Sequence, residues 1–146
     1  MEKKERAKNI IIHGKEEQED DSLYVENLTK TITGKTITPV SIERIGRITN
    51  TKGRPIKLKF HQVEDKEIIM KNLRNLKGKQ EYQGISVRDD FTHDERETIK
   101  KYVREARQRS ANELEDSRFV WKVFGSPRNN TIVIRRIQKR LSNSLA

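Results

Sequence analysis

Cysteine is absent from the 146 residues, which excludes disulfides and thiolate metal sites and fits a reducing compartment. Long apolar runs are absent as well. None exceeds the length of Ile10-Ile11-Ile12, where a membrane span needs about 20 residues. No apolar stretch follows the charged start, so no export signal is expected. The triplets Asn27-Leu28-Thr29 and Asn129-Asn130-Thr131 are then chance matches to a glycosylation pattern. Apolar residues are scarce at 32% against 37% charged, so the core must be thin, in one domain or two small ones.

Catalytic constellations are missing too. His13, His61 and His93 fall on separate elements without metal-ligand spacing, and there is no Gly-x-Ser-x-Gly. Asp89, Asp90 and Asp94 are close enough in sequence to suggest a divalent ion, but helix capping accounts for Asp94 more simply. Gly34-Lys35-Thr36 mimics the end of a phosphate-binding loop. The glycine required five residues earlier is Thr29, and Pro39 follows where a helix should, so it is rejected. No catalytic residue, metal or cofactor is expected.

What the chain has is positive charge. Lysines and arginines number 32 against 22 acids, a net +10. Residues 1–33 are acidic on balance, and the excess of cations begins after them and continues to the end. Such a field favours polyanions, either nucleic acid or an anionic membrane surface.

Residues 1–8 read as a charged, solvated tail and 9–14 as a short buried strand closed by Gly14. In the acidic loop that follows, Asp20 or Asp21 can cap a helix over 22–32, with Tyr24, Val25, Leu28 and Ile32 at helical spacing. Strands are expected at 40–47 and 55–60, a helix at 64–76, and a strand at 85–88. Ile56, Leu58 and Phe60 alternate with Lys57 and Lys59, which marks a half-buried strand with a wet cationic face. The order strand, helix, strand, strand, helix, strand predicts a ferredoxin-like α+β domain over residues 9–90. A second, smaller domain is expected over 91–146. Thr92 and Glu95 form a capping box for a helix to about Arg109, followed by strands at 118–124 and 131–136. Residues 137–146 are expected to add a short helix or fray.

Domains of this order that bind RNA present aromatics on their two central strands for base stacking. Aligned on Phe60, those positions hold Pro55, Lys57 and Ile11. The platform is therefore absent, and binding would rest on charge. Arg44, Arg47, Lys52, Arg54, Lys57 and Lys59 crowd into 16 residues, with Glu43 the only nearby acid. The candidate nucleic-acid residues are these six with Arg88, the helical stripe Arg96, Lys100, Arg104 and Arg107, and then Arg118, Trp121, Lys122, Arg135 and Arg136. The alternative is a non-catalytic protein-interaction module of the same fold.

The series KNIIIHG, IERIGR, GRPIKLKF, LKG and ISVRDDFTHDER, in this order over residues 8–136, resembles the first-open-reading-frame protein of LINE-type non-LTR retrotransposons. It is similar to the matching region of related endonuclease/reverse-transcriptase reading frames as well. The resemblance implies a non-classical RNA-recognition domain and a small C-terminal domain that together grip single-stranded RNA. It also implies nucleic-acid chaperone activity and packaging of a transcript into cytoplasmic ribonucleoprotein particles, with a nuclear pool an open alternative. By motif position it places family arginines on Arg44, Arg47 and Arg54. The partner is then single-stranded RNA, with DNA left open, and no membrane. A homotrimer is implied only where a coiled coil precedes this segment. An active element and a domesticated host copy both fit.

Overall fold

The computed structural model describes residues 5–48 and 53–140. It is a mixed α+β chain in two compact units, Met1–Asp90 and Phe91–Ala146.

In the first unit the elements are β1 (Asn9–His13), α1 (Ser22–Thr33), β2 (Ser41–Arg44), β3 (Ile56–Lys59), α2 (Val63–Lys71) and β4 (Ser86–Asp89). Single 3-10 turns lie at Leu73–Leu76 and Gln80–Tyr82. The strands form one antiparallel sheet in the order β2-β3-β1-β4. Apolar alternation sets the register. Ile10 stands opposite Leu58 and Ile12 opposite Ile56, so the central strands turn four branched side chains to one face. α1 covers that face with Val25, Leu28, Thr29 and Ile32, spaced along one side of a helix, and α2 adds Ile69. With Phe60 these side chains make the buried cluster, each apolar one contributing about 1.5–3 kcal/mol. Gly34 ends α1 at φ +74°, its N–H bonded to the Lys30 carbonyl.

Four local expectations change. β2 stops at Arg44 rather than 47, because Gly46, at φ +91°, turns the chain away. α2 stops at Lys71 rather than 76. The Asn72 amide donates to the Ile68 carbonyl at 2.7 Å, competing with the helical ladder, and only a 3-10 turn follows. Asp20 takes the Ser22 N–H at 2.9 Å, while Asp21 is buried and turned to Arg44 instead of capping. Residues 5–8 are not a loose tail: Arg6 donates to Asp90 at 3.0 Å, and the Phe60 N–H donates to the Lys8 carbonyl. Residues 1–4 and 141–146, parts of the expected tail and C-terminal helix, lie outside the described residues.

The second unit is α3 (His93–Ala111) and the antiparallel hairpin β5 (Phe119–Phe124) and β6 (Val133–Gln138). Thr92 and Glu95 make the capping box in both directions. Ser110 ties the helix to β5 by accepting the Trp121 N–H at 2.9 Å. β6 runs two residues beyond the expected end, so Ile137 and Gln138 pair with Val120 and Phe119. At Gly125 (φ +80°) a Cβ would lie 2.1 Å from the Thr131 carbonyl oxygen, so the hairpin loop requires glycine there.

Candidate nucleic-acid interface

Arg44 was expected at the centre of a cationic grip, and the structure assigns it another task. Its Nε and Nη2 donate to the two carboxylate oxygens of Asp21 at 2.9 and 2.8 Å. Nη1 donates to the carbonyls of Lys15 (2.7 Å) and Arg54 (2.6 Å), and Nη2 also reaches that of Glu16 (2.5 Å). A guanidinium has five N–H donors, and all five are engaged. The side chain is 6% exposed. Arg44 therefore pins the β1–α1 loop against β2 and β3 and has nothing left for a phosphate. Gly53 allows the close fit, since a Cβ there would lie 1.9 Å from the Lys15 carbonyl oxygen.

Arg54 is partly drawn into the same loop. Its Nε donates to Glu17 at 2.6 Å and its Nη1 to the Gly46 carbonyl at 3.2 Å. The Arg54 bond holds the Glu17 carboxyl below its usual range. Arg47 is exposed and makes no side-chain hydrogen bond or ion pair among the described residues. Lys52 lies outside them.

The sheet face away from the helices is read from the register. One row runs Glu43, Lys57, Ile11, Arg88, and the next Ser41, Lys59, Asn9. No aromatic stands in either. Glu43 pairs with Lys57 at 3.1 Å, so one of the lysines is neutralised. Lys59 has no ionic partner among the described residues, and Arg88 is exposed with only a Ser86 hydroxyl at 3.0 Å. Burial and then the Arg88 charge hold the His13 pKa below its usual value. This face is thus cationic through Lys59 and Arg88, and weaker than the bare lysine count suggests.

The second unit distributes its cations unequally. On one hairpin face Arg136 is fixed: it donates to Glu113 at 2.6 and 3.1 Å and lies 3.9 Å from the centre of the Phe119 ring. Trp121, on the same face, donates its indole N–H to Glu113 at 3.1 Å. The Arg136 bond, ahead of the cost of desolvation, brings Glu113 down to about 2. The other face carries Val120, Lys122 and Phe124 on β5 opposite Ile137, Arg135 and Val133 on β6. Lys122 and Arg135 are directly opposite, and none of the paired strand residues on their face is a carboxylate. Like charges placed so are destabilising by roughly 0.2–1 kcal/mol. Phe124, 39% exposed, lies beside them, with the Arg135 guanidinium 5.8 Å from its ring centre. On α3, Arg104 and Arg107 are exposed and unpaired among the described residues. Arg96 donates to the Phe91 carbonyl at 2.8 Å, and Lys100 has a loose surface pair with Glu97 at 3.4 Å. Glu97 therefore offsets part of the stripe's charge. Arg118 is exposed and its side chain is unpaired among the described residues.

No protein-family model matches the chain, and neither does any curated protein.

Four residues outside the expected set gain importance. Phe119 and Phe124 are exposed rings, each with an arginine on its face. Arg109 lies 5.0 Å from the Trp121 ring centre. The alternation of Phe119-Val-Trp-Lys-Val-Phe124 opposite IRRI contained this pattern, but reading it required the strand register. Arg128 is the structural counterpart of Arg44. It donates to both oxygens of the buried Glu95 at 3.0 Å and lies over Phe91, tying the hairpin loop to the start of α3. Two of the three acids that suggest a divalent ion are occupied by cations: Asp89 by Lys66 at 2.7 Å and Asp90 by Arg6. Among the described residues no group of three His, Asp or Glu could hold a metal ion, and no helix is long and apolar enough to cross a membrane.

Proposed function

We propose that this chain binds single-stranded nucleic acid, RNA in preference, by charge and ring stacking without reading base sequence, and performs no catalysis. The observation that carries this reading is the hairpin face with Lys122 directly opposite Arg135, no carboxylate among its paired strand residues, and Phe124 exposed beside them. A like-charge pair costs stability in the isolated chain, and a phosphate between the two would convert that cost into attraction. The ring supplies a plane for a base, with stacking of about 1–3 kcal/mol. Lys59 and Arg88 on the sheet of the first unit, and Arg104, Arg107 and Arg118 in the second unit, are further cations open to a phosphate.

The β2-β3-β1-β4 order and the strand–helix alternation support reading residues 9–90 as a ferredoxin-like domain of the RNA-recognition type, stripped of its sheet aromatics. The motif series that resembles LINE-type first-open-reading-frame proteins supports a setting: packaging and chaperoning of a transcript in ribonucleoprotein particles.

Fluorescence anisotropy with an unstructured uridine oligonucleotide tests the reading. Binding should weaken steeply with salt, by about 0.7 in log–log slope per phosphate contact. Lys122→Ala with Arg135→Ala should lower affinity at least tenfold. Unchanged affinity in that variant would refute the assignment.

A further inference from the structure

β4 ends the sheet and pairs only with β1 among the described residues. A strand paired on one side turns alternate N–H and C=O groups to its open edge, where another strand can add. Beside this edge a cleft of ≈ 570 Å³ opens between β4 and the chain from Leu73 to Gln83. Leu73, Leu76, Ile85 and Val87 line it, and the same four pack on the buried cluster, so its floor is an uncovered margin of the core. At its rim stand Lys77 and Lys79, both exposed and neither ion-paired among the described residues. No Asp or Glu lines the cleft. Gly78 between the lysines has φ +80°, and a Cβ there would meet nothing within 4 Å, so the rim is not packed down.

We propose that the β4 edge is a docking site for an extended acidic peptide of a protein partner, which adds as a fifth strand. Strand alternation dictates the peptide's character. Side chains on the cleft side must be apolar to cover Leu73, Leu76, Ile85 and Val87. Those on the opposite side come to lie beside Arg88, which is exposed on the open sheet face, and should be acidic. Lys77 and Lys79 add positive potential at the mouth. A peptide suits this site better than a nucleic acid. The open edge offers a ladder of main-chain hydrogen bonds that only another strand matches, and the cleft is mostly aliphatic, its one ring, Tyr82, being already stacked on Tyr24. This site belongs to the first unit and the Lys122–Arg135 face to the second, and the two readings share only Arg88.

The test uses the whole chain and two fluorescein-labelled nonapeptides, one alternating Glu with Val and one alternating Lys with Val. The acidic peptide should bind saturably and the basic one should not. Lys77→Glu with Lys79→Glu should weaken the acidic peptide at least tenfold, and both lysines are exposed, so the fold should tolerate the change. Amide resonances of residues 85–89 should shift on titration. The proposal is overturned by no saturable binding, by equal binding of both peptides, by an unchanged affinity in the variant, or by shifts that map elsewhere. It is also overturned if a uridine oligonucleotide, in place of the peptide, shifts the amides of Leu76, Lys77 and Lys79 at the cleft.

Discussion

Arg44 and Asp21 form a two-pronged ion pair with side chains 6% and 7% exposed, closed off further by the carbonyls of Lys15, Glu16 and Arg54. Breaking such a pair from one side leaves the other charge buried and unpaired, which typically costs 3–5 kcal/mol, so roughly that loss is expected here. Arg44→Ala should therefore lower the urea midpoint sharply. The protein that remains folded should bind an oligonucleotide about as well as the parent. A stable Arg44→Ala chain with weakened binding would return Arg44 to the interface.

Lys122 opposite Arg135 makes the reverse prediction. Neutralising either residue removes a repulsion of roughly 0.2–1 kcal/mol, so stability should hold or rise slightly while nucleic-acid binding falls. Thermal unfolding and anisotropy on the same Lys122→Gln sample check both halves. A clear loss of stability would mean that the pair is held by something other than a ligand.

Phe124 separates stacking from charge. Phe124→Ala should weaken oligonucleotide binding by about 1–3 kcal/mol, close to five- to 150-fold. The slope of log affinity against log salt should not change, because no phosphate contact is lost. A flatter slope would mean that the variant has displaced Arg135 from its place over the ring.

Glu95, together with Glu113, sets the acid limit of the C-terminal unit. Burial alone would raise its carboxyl, but the Arg128 fork and the Thr92 N–H outweigh burial and hold it at about 2, below its usual 4.5. A depressed carboxylate contributes stability that is complete above the unfolded value. That contribution is lost as pH falls from about 4.5 toward 2. Trp121, the chain's only tryptophan, lies in this unit, so its fluorescence should report an acid transition in that window. Glu95→Gln should flatten this limb, and an unchanged acid transition in that variant would exclude the Glu95–Arg128 pair as its cause.

Much of the first unit was legible because its signals are local. The alternation from Ile56 to Phe60 and the 25, 28, 32 spacing of α1 each specify an element and a buried side. Thr92 and Glu95 marked a helix start that the hydrogen bonds match. The early ends of β2 and α2 were less legible, since Gly46 and Asn72 act through backbone angles and a side-chain bond that no apolar period encodes. The candidate site was read least well. Arg44 and Arg135 look alike in sequence, both in basic stretches on strands. One lies within reach of Asp21, 23 residues earlier, and the other faces Lys122 across a hairpin.

The sequence by itself determined the cationic excess, the absence of thiolate chemistry, the strand–helix alternation and the missing aromatics on the central strands, because composition and short-period pattern encode them. Only the tertiary structure decided which cations remain available to a ligand. A guanidinium's role depends on the carboxylates and carbonyls within 3 Å of it, and folding brings those from distant parts of the chain. That is why Arg44 and Arg128 became fastenings, and why the charge without a carboxylate partner moved to Lys59, Arg88, Lys122 and Arg135.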